Sequence, residues 1–393
     1  MLRVGVTGGI GAGKSTAAKQ LVRSGGFLVD ADQVAREVVV PGSAGLLAVV
    51  EAFGDRVLRP DGTLDRPGLG RIIFGDQPSR LRLNAILHPL IAARTTELIA
   101  TAPPDTVVIH EHPLIVENGL AASYHLVVVV DAPEQVRAER LVELRGMAAN
   151  DAWQRIRAQA TDQQRRATAD VLLDNSGDVA PMIEATRALY AERLAPFEQN
   201  VRGRHQARRP PLVQVVEPEP TWPDQARRLL GRIGAVAGGR AIRLDHTGST
   251  SVPGLPAKDI VDLQLVVADL AVADQLFDPL QDAGFARLPG EWWDDALDGG
   301  SPPKRLHLAC DPGRAVNLHV RTADSPAVRE QLVFRDWLRR LPAERDAYAG
   351  VKRGAAGVEI EPYLDAKGPW IRAALLRALA WDDGRNRSTE PRV

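Results

Sequence analysis

The sequence predicts two domains, and the first is an α/β fold in which helices cover both faces of a five-stranded parallel sheet. Chains beyond roughly 250–300 residues usually divide, and this one has 393 residues. Through its first half, short runs rich in β-branched residues alternate with longer helical patterns, as in successive β-α-β units. The first run leads directly into a glycine-rich loop that opens a helix, an order typical of phosphate-binding folds.

Composition and charge exclude several classes of protein. Hydrophobic residues make up 45% and charged residues 25% of the chain, so it is neither fibrous nor disordered. A formal net charge of −1 removes the broad positive field of a dedicated nucleic-acid-binding protein. The apolar runs fall far short of the roughly 20 residues that span a bilayer, so we expect no membrane partner. The one cysteine, Cys310, predicts a reducing, cytoplasmic location and an inert buried thiol.

Five runs are the predicted strands of the parallel sheet. Each is apolar on both faces, as expected of a strand between two helical layers. Ligands of such sheets bind at the carboxyl ends of the strands, so polar residues after each run are candidates for the site. The runs are 2–6, 27–29, 106–109, 126–130 and 171–173.

A P-loop follows the first strand. Residues 8–16 satisfy the pattern G-x-x-x-x-G-K-[ST] and open onto an apolar-periodic helix. Glycines let successive N–H groups point at a phosphate, at the positive end of the helix dipole. Lys14 is predicted to reach the β- and γ-phosphates of a nucleotide, and the Ser15 hydroxyl to bind Mg²⁺. The predicted phosphate-binding residues are Gly8, Gly9, Gly11, Ala12, Gly13, Lys14, Ser15 and Thr16.

Acidic residues follow the second and third strands. Asp32 is the candidate carboxylate that accepts a proton from an attacking hydroxyl, although Asp30 or Asp32 could instead cap the next helix. Glu111 is a candidate acid that supports Mg²⁺ without contacting it. His110 and His112 beside it are better explained as hydrogen-bonded scaffold than as metal ligands.

An arginine-rich helical segment, residues 137–166, follows the fourth strand. Guanidinium groups that close over a γ-phosphate neutralise its developing charge and exclude water, which predicts a lid. The alternative is a solvated helix face with ion pairs, since acidic residues are interspersed. The arginines are Arg140, Arg145, Arg155, Arg157, Arg165 and Arg166.

Together, motifs in this half resemble those of the dephospho-CoA kinase family over roughly residues 1–200. The P-loop alone marks a superfamily, whereas the ordered set is specific. The resemblance implies an adenylate-kinase-like fold and ATP-dependent phosphorylation of the ribose 3′-hydroxyl of dephospho-CoA, giving coenzyme A and ADP. Besides the P-loop, the motifs are Asp30-Ala31-Asp32 with Ala35-Arg36, His88-Pro89, Pro113-Leu114-Ile115 with Glu117, Gln135 with Arg140-Leu141, Arg155-Ile156 with Gln159, and Ala169-Asp170 with Asn175-Ser176-Gly177.

The resemblance also implies roles for particular residues. Residues 11–16 would wrap the ATP phosphates, Asp32 would activate the 3′-hydroxyl, and Arg140 would act catalytically from the lid. Asn175 and Gly177 would lie beside the adenine. The acceptor would bind a helical subdomain over residues 34–94, and its candidate ligands are Asp32, Arg36, His88 and Pro113.

Other P-loop proteins are partly excluded. A GTPase needs an Asn-Lys-x-Asp guanine motif, which residues 174–177 do not supply. A nucleoside monophosphate kinase or a shikimate-type kinase shares the loop, so another small-molecule kinase stays open. A nucleotide-dependent switch without turnover is a third possibility.

The second half begins after a basic, proline-containing stretch. The predicted domains are 1–203 and 212–385, with a linker over 204–211 and a disordered tail over 386–393. Residues 212–216 are predicted as a strand and 224–236 as a helix. Gly248-Ser249 before an acidic strand suggests a nucleotidyltransferase-type site, in which two carboxylates spaced D-x-D bind Mg²⁺. Gln264 stands two residues after Asp262, and this neutral amide disfavours transferase chemistry.

This half resembles the GrpB-like family over roughly residues 210–385, which implies an α+β nucleotidyltransferase-like fold with no agreed activity. His307 and His319 are expected to face a shared pocket or to be core histidines, and Trp292-Trp293 to mark a binding loop. We expect the domain to regulate, stabilise or help fold the kinase. The alternative is an independent nucleotide-binding or transferase module. The motifs are residues 246–264, His307, residues 317–320, residues 334–339, Tyr348 and Lys352.

Overall fold

The computed structural model describes residues 1–297 and 299–389. Contacts divide the chain into two compact units, the first made of residues 1–120 with 126–190, the second of residues 121–125 with those from 191 onward. Helical residues 195–203 are thereby grouped with the second unit, and the domain bounds drawn from sequence stay a prediction. Within the predicted tail, residues 386–389 belong to the last helix, and 390–393 lie outside the described residues.

The first unit contains the predicted five-stranded parallel sheet, with strand order β2-β3-β1-β4-β5. The three central strands are almost fully buried, because helices lie on both sides of them; Leu2, Val6 and Val128 are all 0% exposed. The strands are β1 Leu2–Gly8, β2 Phe27–Asp30, β3 Val107–Glu111, β4 Leu126–Asp131 and β5 Val171–Asp174.

The helices of this unit form three groups. α1 follows the glycine-rich loop; α2 to α5 span the predicted acceptor subdomain, where Leu46, Val49 and Phe53 anchor a small core of its own. α6 to α8 span the predicted lid, and α9 packs on α1. The helices are α1 Lys14–Arg23, α2 Ala31–Glu37, α3 Ala44–Phe53, α4 Arg66–Ile73, α5 Gln77–Ala100, α6 Glu134–Arg145, α7 Ala149–Arg157, α8 Asp162–Thr168 and α9 Val179–Leu189.

The second unit is built on a mixed sheet of order β6-β7-β11-β10-β8, with β9 paired to β10. β7 and β11 are parallel, and the other pairs are antiparallel. The strands are β6 Arg243–Thr247, β7 Val261–Val267, β8 Phe285–Arg287, β9 Trp292–Trp293, β10 Pro303–Ala309 and β11 Val316–Thr322. The helices are α10 Ala195–Gly203, α11 Trp222–Ala237, α12 Leu270–Gln275, α13 Phe277–Asp282, α14 Pro326–Arg340, α15 Pro342–Gly354 and α16 Ile360–Thr389.

The two faces of this second sheet differ in chemistry. One face packs against α11 in an apolar core that includes Ile233, Leu263 and Leu318. The alternate residues of β7 and β11, among them Asp262 and Asn317, point to the opposite face. Cys310 lies buried in this unit, and burial raises the pKa of its thiol to about 11, which keeps it protonated at neutral pH.

One prediction about this half is wrong, and one of the two alternatives for a pair of histidines is excluded. Residues 212–216 are not a strand, because Val213 donates to the carbonyl of Val358 whereas Val216 pairs with Ala257, so no single partner strand forms a ladder. His307 and His319 do not face one pocket. In the β10–β11 register His307 is opposite Leu318 on the apolar face, and His319 is one residue out of phase with it.

No helix in the described parts of the chain is both long and apolar enough to cross a membrane.

Candidate active site

The glycine-rich loop folds at the carboxyl end of β1 and ends where α1 begins. Gly13, the residue before α1, has a left-handed φ of 102°. The Ala12 N–H donates to the Gly9 carbonyl at 3.1 Å, and the Thr16 N–H to the Gly13 carbonyl at 3.0 Å. The strand-loop-helix context expected of a P-loop is therefore present.

Glycine is required in this loop by close approach of its neighbours. A Cβ atom on Gly8 would lie 2.3 Å from the carbonyl oxygen of Val130, and Gly8 has a φ of 151°. A Cβ on Gly13 would lie 2.4 Å from Nδ2 of Asn175. β4 and the residues after β5 thus pack directly against the loop. A side chain at either glycine would force the loop to move.

Lys14 is the cation at the centre of the site. Its Nζ donates to the carbonyls of Gly8 at 3.0 Å and Gly9 at 3.2 Å. Burial lowers its pKa to about 8; the charges of Glu111 and Asp32 oppose that shift, and those of Arg145 and Arg165 add to it. Two acids and two arginines from four different elements therefore gather around this lysine.

Ser15 and Glu111 are joined directly. The Ser15 hydroxyl donates to Oε1 of Glu111 at 2.6 Å. Glu111 ends β3 in register with Val6 of β1 and Asp30 of β2, so the sheet itself brings the acid to the loop. Both oxygens are hard ligands of the kind that Mg²⁺ prefers.

The histidines on either side of Glu111 are partly buried. Burial lowers the pKa of His110 to about 4, and it lowers the pKa of His112 as well, so both rings are neutral at pH 7. Nδ1 of His112 accepts a hydrogen bond from the Leu114 N–H at 3.1 Å. Across residues 1–297 and 299–389, no group of three or more His, Cys, Asp or Glu side chains could hold a metal ion.

The two aspartates after β2 have different surroundings. Asp30 caps α2, because its carboxylate accepts from the N–H groups of Asp32 at 2.8 Å and Gln33 at 3.2 Å. Asp32 is exposed in the first turn of α2, and its charge acts on both Lys14 and His112. The capping role thus belongs to Asp30 and not to the carboxylate of Asp32.

A buried arginine that sequence reasoning did not single out packs against the loop. Arg137 is 1% exposed, and its Nη1 would lie 2.2 Å from a Cβ on Gly9. Its Nε donates to the Ala132 carbonyl at 3.0 Å and its Nη2 to Asp162 at 2.8 Å. Arg137 occurs in a helix full of charged residues, so nothing in the local pattern separates it from solvated arginines.

Arg140 holds the segment after β5. Its two terminal nitrogens donate to the carbonyls of Asn175 at 2.8 Å and Gly177 at 2.9 Å. Asn175 in turn donates from Nδ2 to the Ala12 carbonyl at 2.7 Å. The structure thereby brings Arg140, Asn175 and Gly177 together with the P-loop, and it places the Arg140 guanidinium on this segment. Its predicted action on a phosphoryl group stays a prediction.

The other arginines of the lid are dispersed. Arg165 is buried and contacts the Ala160 carbonyl and Asp162. Arg166 forms an ion pair with Asp131 at 2.8 Å, and Arg157 stacks over the ring of Trp153. Arg155 is exposed. The ion-paired alternative therefore describes both Arg165 and Arg166, and the charges of Arg145 and Arg165 also act on Lys14.

The remaining candidates lie beyond the P-loop. Arg36 is exposed on α2, and its charge lowers the pKa of Arg66 at the start of α4, after burial, the larger cause. His88 lies in α5, and its charge acts on His112. Pro113 is the second residue after β3.

Comparison with known proteins assigns the chain to a family. A family model described as Dephospho-CoA kinase matches residues 2–181, and one described as GrpB protein matches residues 212–377. A dephospho-CoA kinase of Mycolicibacterium paratuberculosis is 46% identical over 403 aligned residues, covering 98% of each protein. The chain belongs to the dephospho-CoA kinase family. Membership identifies it as a kinase, with ATP as co-substrate.

Other proteins are similar to only one part of this dephospho-CoA kinase family chain. A dephospho-CoA kinase of Streptomyces avermitilis is 58% identical over 175 residues, 44% of this chain and 85% of that protein. The crystal structure of GrpB from Enterococcus faecalis is 25% identical with a TM-score of 0.37, and the alignment covers 42% of this chain and 98% of that one. A crystal structure from Thermus thermophilus is 31% identical with a TM-score of 0.43, over 49% of this chain and 97% of that one.

The close approach of Val130 makes Gly8 a test of how the loop is held. Gly8→Ala should lower the free energy of unfolding by about 2–4 kcal/mol, because the new Cβ meets a backbone carbonyl and the φ is unfavourable. Urea unfolding followed by circular dichroism measures this. Gly177→Ala is the control, since a Cβ there meets nothing within 4 Å. Equal stability of the two variants would contradict the packing described.

Proposed function

We propose that this kinase transfers the γ-phosphoryl group of ATP to the ribose 3′-hydroxyl of dephospho-CoA, giving coenzyme A and ADP. The observation that supports it is the arrangement of Lys14, the Ser15–Glu111 pair and Asp32 at the ends of β1, β2 and β3. The acceptor is an alcohol, and a carboxylate that takes up its proton is the group this reaction needs.

The loop residues fit the phosphates of ATP, and the Ser15–Glu111 pair fits Mg²⁺. We propose that the N–H groups of residues 11–16 and Nζ of Lys14 bind the phosphates, while Ser15 binds Mg²⁺ and Glu111 orients its hydroxyl. The metal ion would neutralise charge on the β- and γ-phosphates. Bound phosphate would replace the carbonyl contacts of Lys14 and raise its pKa from about 8, so the ammonium stays charged.

In the transfer, Asp32 accepts the proton of the 3′-hydroxyl as its oxygen attacks the γ-phosphorus. Lys14 and the phosphate-facing arginines of the lid stabilise the charge that spreads over the transferring group. Arg145 and Arg165 are proposed for this role because their charges act on Lys14. Arg140 supports it from the lid by holding the segment of Asn175 and Gly177, which we propose lies beside the adenine.

The acceptor subdomain offers charge of the right sign. Dephospho-CoA carries a diphosphate, and the exposed Arg36 lies close enough to Arg66 for their charges to interact. We propose that Arg36 binds this diphosphate, and that His88 and Pro113 contact the acceptor near Asp32. Asp32 and Arg36, both on α2, would then bind the ribose 3′-hydroxyl and the diphosphate of the same acceptor molecule.

Acceptor specificity tests the proposed function. The purified full chain with Mg·ATP should phosphorylate dephospho-CoA, and it should leave AMP and shikimate unchanged. Product formation is measured by coupled ADP release and by mass spectrometry of the acceptor. Transfer to AMP or shikimate instead of dephospho-CoA would assign another small-molecule kinase activity, and ADP release without any acceptor would indicate a nucleotide switch.

Asp32→Asn tests the base. The amide keeps the shape of the side chain but cannot take the proton, so kcat should fall about 100- to 10,000-fold while the Kd for ATP changes little. Steady-state kinetics and calorimetric titration of ATP measure the two effects. Asp151→Asn is the matched control, since Asp151 is also an exposed first-turn carboxylate. Full turnover in Asp32→Asn would refute the assignment.

The lid arginines separate into two roles. Arg140→Ala should raise the KM for ATP about tenfold with kcat nearly kept, because two hydrogen bonds that hold the nucleotide-side segment are lost. Arg145→Ala should lower kcat about 100-fold with little change in KM. Arg157→Ala, which removes a guanidinium stacked on Trp153, is the control. The opposite pattern would give the phosphate-contacting role to Arg140.

A further inference from the structure

The second unit contains a cavity of about 660 Å³, which the kinase reaction does not use. Its floor is the polar face of the sheet, formed by β7, β11 and β10, and its walls come from α14, α15 and α16. Cavities of roughly 300–1,000 Å³ hold small organic ligands. The volume is therefore suited to a molecule of nucleotide size.

Lysines are concentrated at this cavity. The whole chain has six lysines, and three of them, Lys258, Lys304 and Lys367, line its wall. A fourth, Lys352, is 1% exposed, and its Nζ lies 4.6 Å from the ring centre of the lining residue Tyr348. Four of the six lysines thus converge on one cavity, in a chain that otherwise uses arginine.

The acids at the cavity do not balance these lysines. Asp294 is already paired with Lys304 and with Arg321, whose Nε lies 2.7 Å away. Asp295, which is exposed, also lines the cavity, and its charge acts on Lys304. Among the described residues, Asp262 is the carboxylate whose charge acts on Lys258, Lys352 and Lys367 together. Three ammonium groups facing one carboxylate leave an excess of positive charge.

Lys352 is the strongest observation, because its ammonium lies over the Tyr348 ring but has no hydrogen-bond acceptor among the described residues. Its Nζ is buried and makes no hydrogen bond to any described residue. Burial lowers the pKa of Lys352 to about 7 and that of Lys367 to about 8, with neighbouring lysines as a further cause. Burying an ammonium without a partner costs several kcal/mol in general, so a bound anion is the natural complement of this group.

The site is not arranged for a divalent cation. Gln264, which stands where a second carboxylate would bind a metal, is 0% exposed. Its amide donates to Asp245 at 3.1 Å and accepts from Arg321 at 2.9 Å, so it is fully engaged in the protein. Asp262 itself accepts from Nδ2 of Asn317 at 2.7 Å. The pair of free carboxylates that a nucleotidyltransferase-type site would use for magnesium is therefore absent at residues 262 and 264.

The walls of the cavity also accept an apolar or aromatic group. Tyr348, Tyr363 and Phe334 line the part near the lysines, and Trp292 and Trp293 line another edge. Trp293 is 54% exposed, which leaves one aromatic face open at the rim. A ligand with a phosphate at one end and a ring at the other would match both parts of the wall.

We propose that the cavity of the second unit binds a small organic phosphate without a divalent cation, and that Lys258, Lys352 and Lys367 contact its phosphate groups. The organic part of the ligand lies against the aromatic wall. Asp262 spaces the three ammonium groups and takes no metal ion. This binding site is independent of the kinase reaction and of its substrates' sites on the P-loop.

Calorimetric titration of the full chain tests the proposal. Lys14→Ala is introduced first to weaken binding at the P-loop, and pyrophosphate is titrated in EDTA. We expect binding of one pyrophosphate per chain, and we expect Lys367→Met in the same background to weaken it at least tenfold, the effect of losing one charge-assisted contact. Lys19→Met is the matched control, since Lys19 is an exposed lysine of α1, and it should change nothing.

Three results of the titration would overturn the proposal. The first is equal affinity for pyrophosphate in the Lys367→Met and Lys19→Met proteins. The second is pyrophosphate binding that appears only when Mg²⁺ replaces EDTA. The third is complete displacement of pyrophosphate by sulfate at equal charge. AMP and adenosine 3′,5′-bisphosphate in EDTA then test the organic part. Either should bind more tightly than inorganic phosphate, and equal affinities would refute the aromatic contribution.

Thermal stability distinguishes a ligand-binding lysine from a structural one. Six of the seven tryptophans belong to the second unit, so tryptophan fluorescence reports mainly on its unfolding. Lys352→Met should leave the Tm of the ligand-free protein unchanged or raise it, and should abolish the rise in Tm that pyrophosphate gives. A lower Tm for the ligand-free variant, with the pyrophosphate effect retained, would show that Lys352 is structural and refute its role in binding.

Discussion

The approach of the Val130 carbonyl to within 2.3 Å of the Cβ position of Gly8 is the constraint on which the first unit depends. Because Gly8 has no side chain, β4 can lie directly beside the start of the loop. The residues after β5 also reach the loop, at Gly13. Asn175 then bonds the loop at Ala12, and Arg140 bonds the carbonyl of Asn175. A local glycine thus fixes where two distant segments and the lid helix α6 meet.

The sequence could predict those parts of the site whose function depends on the order of neighbouring residues along the chain. The P-loop, the five strands and the separate roles available to Asp30 and Asp32 depend on neighbours within a few residues. Arg137 could not be predicted in the same way. It is buried by Gly9, Ala132 and Asp162, and a helix rich in charges gives no sign that one arginine among many turns inward.

Strand register and the choice of hydrogen-bond partners decide what the sequence alone left open or predicted wrongly in the second unit. Whether His307 and His319 share a face depends on the β10–β11 register, and a shift of one residue reverses the answer. The apolar run of residues 212–216 has the composition of a strand, but its N–H groups bond to two separate segments. By contrast, the meaning of Gln264 was visible from sequence alone, because an amide in place of a carboxylate changes the chemistry wherever it lies.

In our proposals both units bind a negatively charged phosphate, but the balance of acidic and basic side chains around it is opposite in the two. At the P-loop, the reaction that we propose combines one lysine with two acids, Glu111 and Asp32, because Mg²⁺ and proton transfer both need carboxylates. In the second cavity three lysines surround one carboxylate that an asparagine already engages. Asp262 is engaged by Asn317, and the neutral Gln264 stands where a second carboxylate would complete a metal site. Charge of this pattern favours holding a phosphate over transferring one.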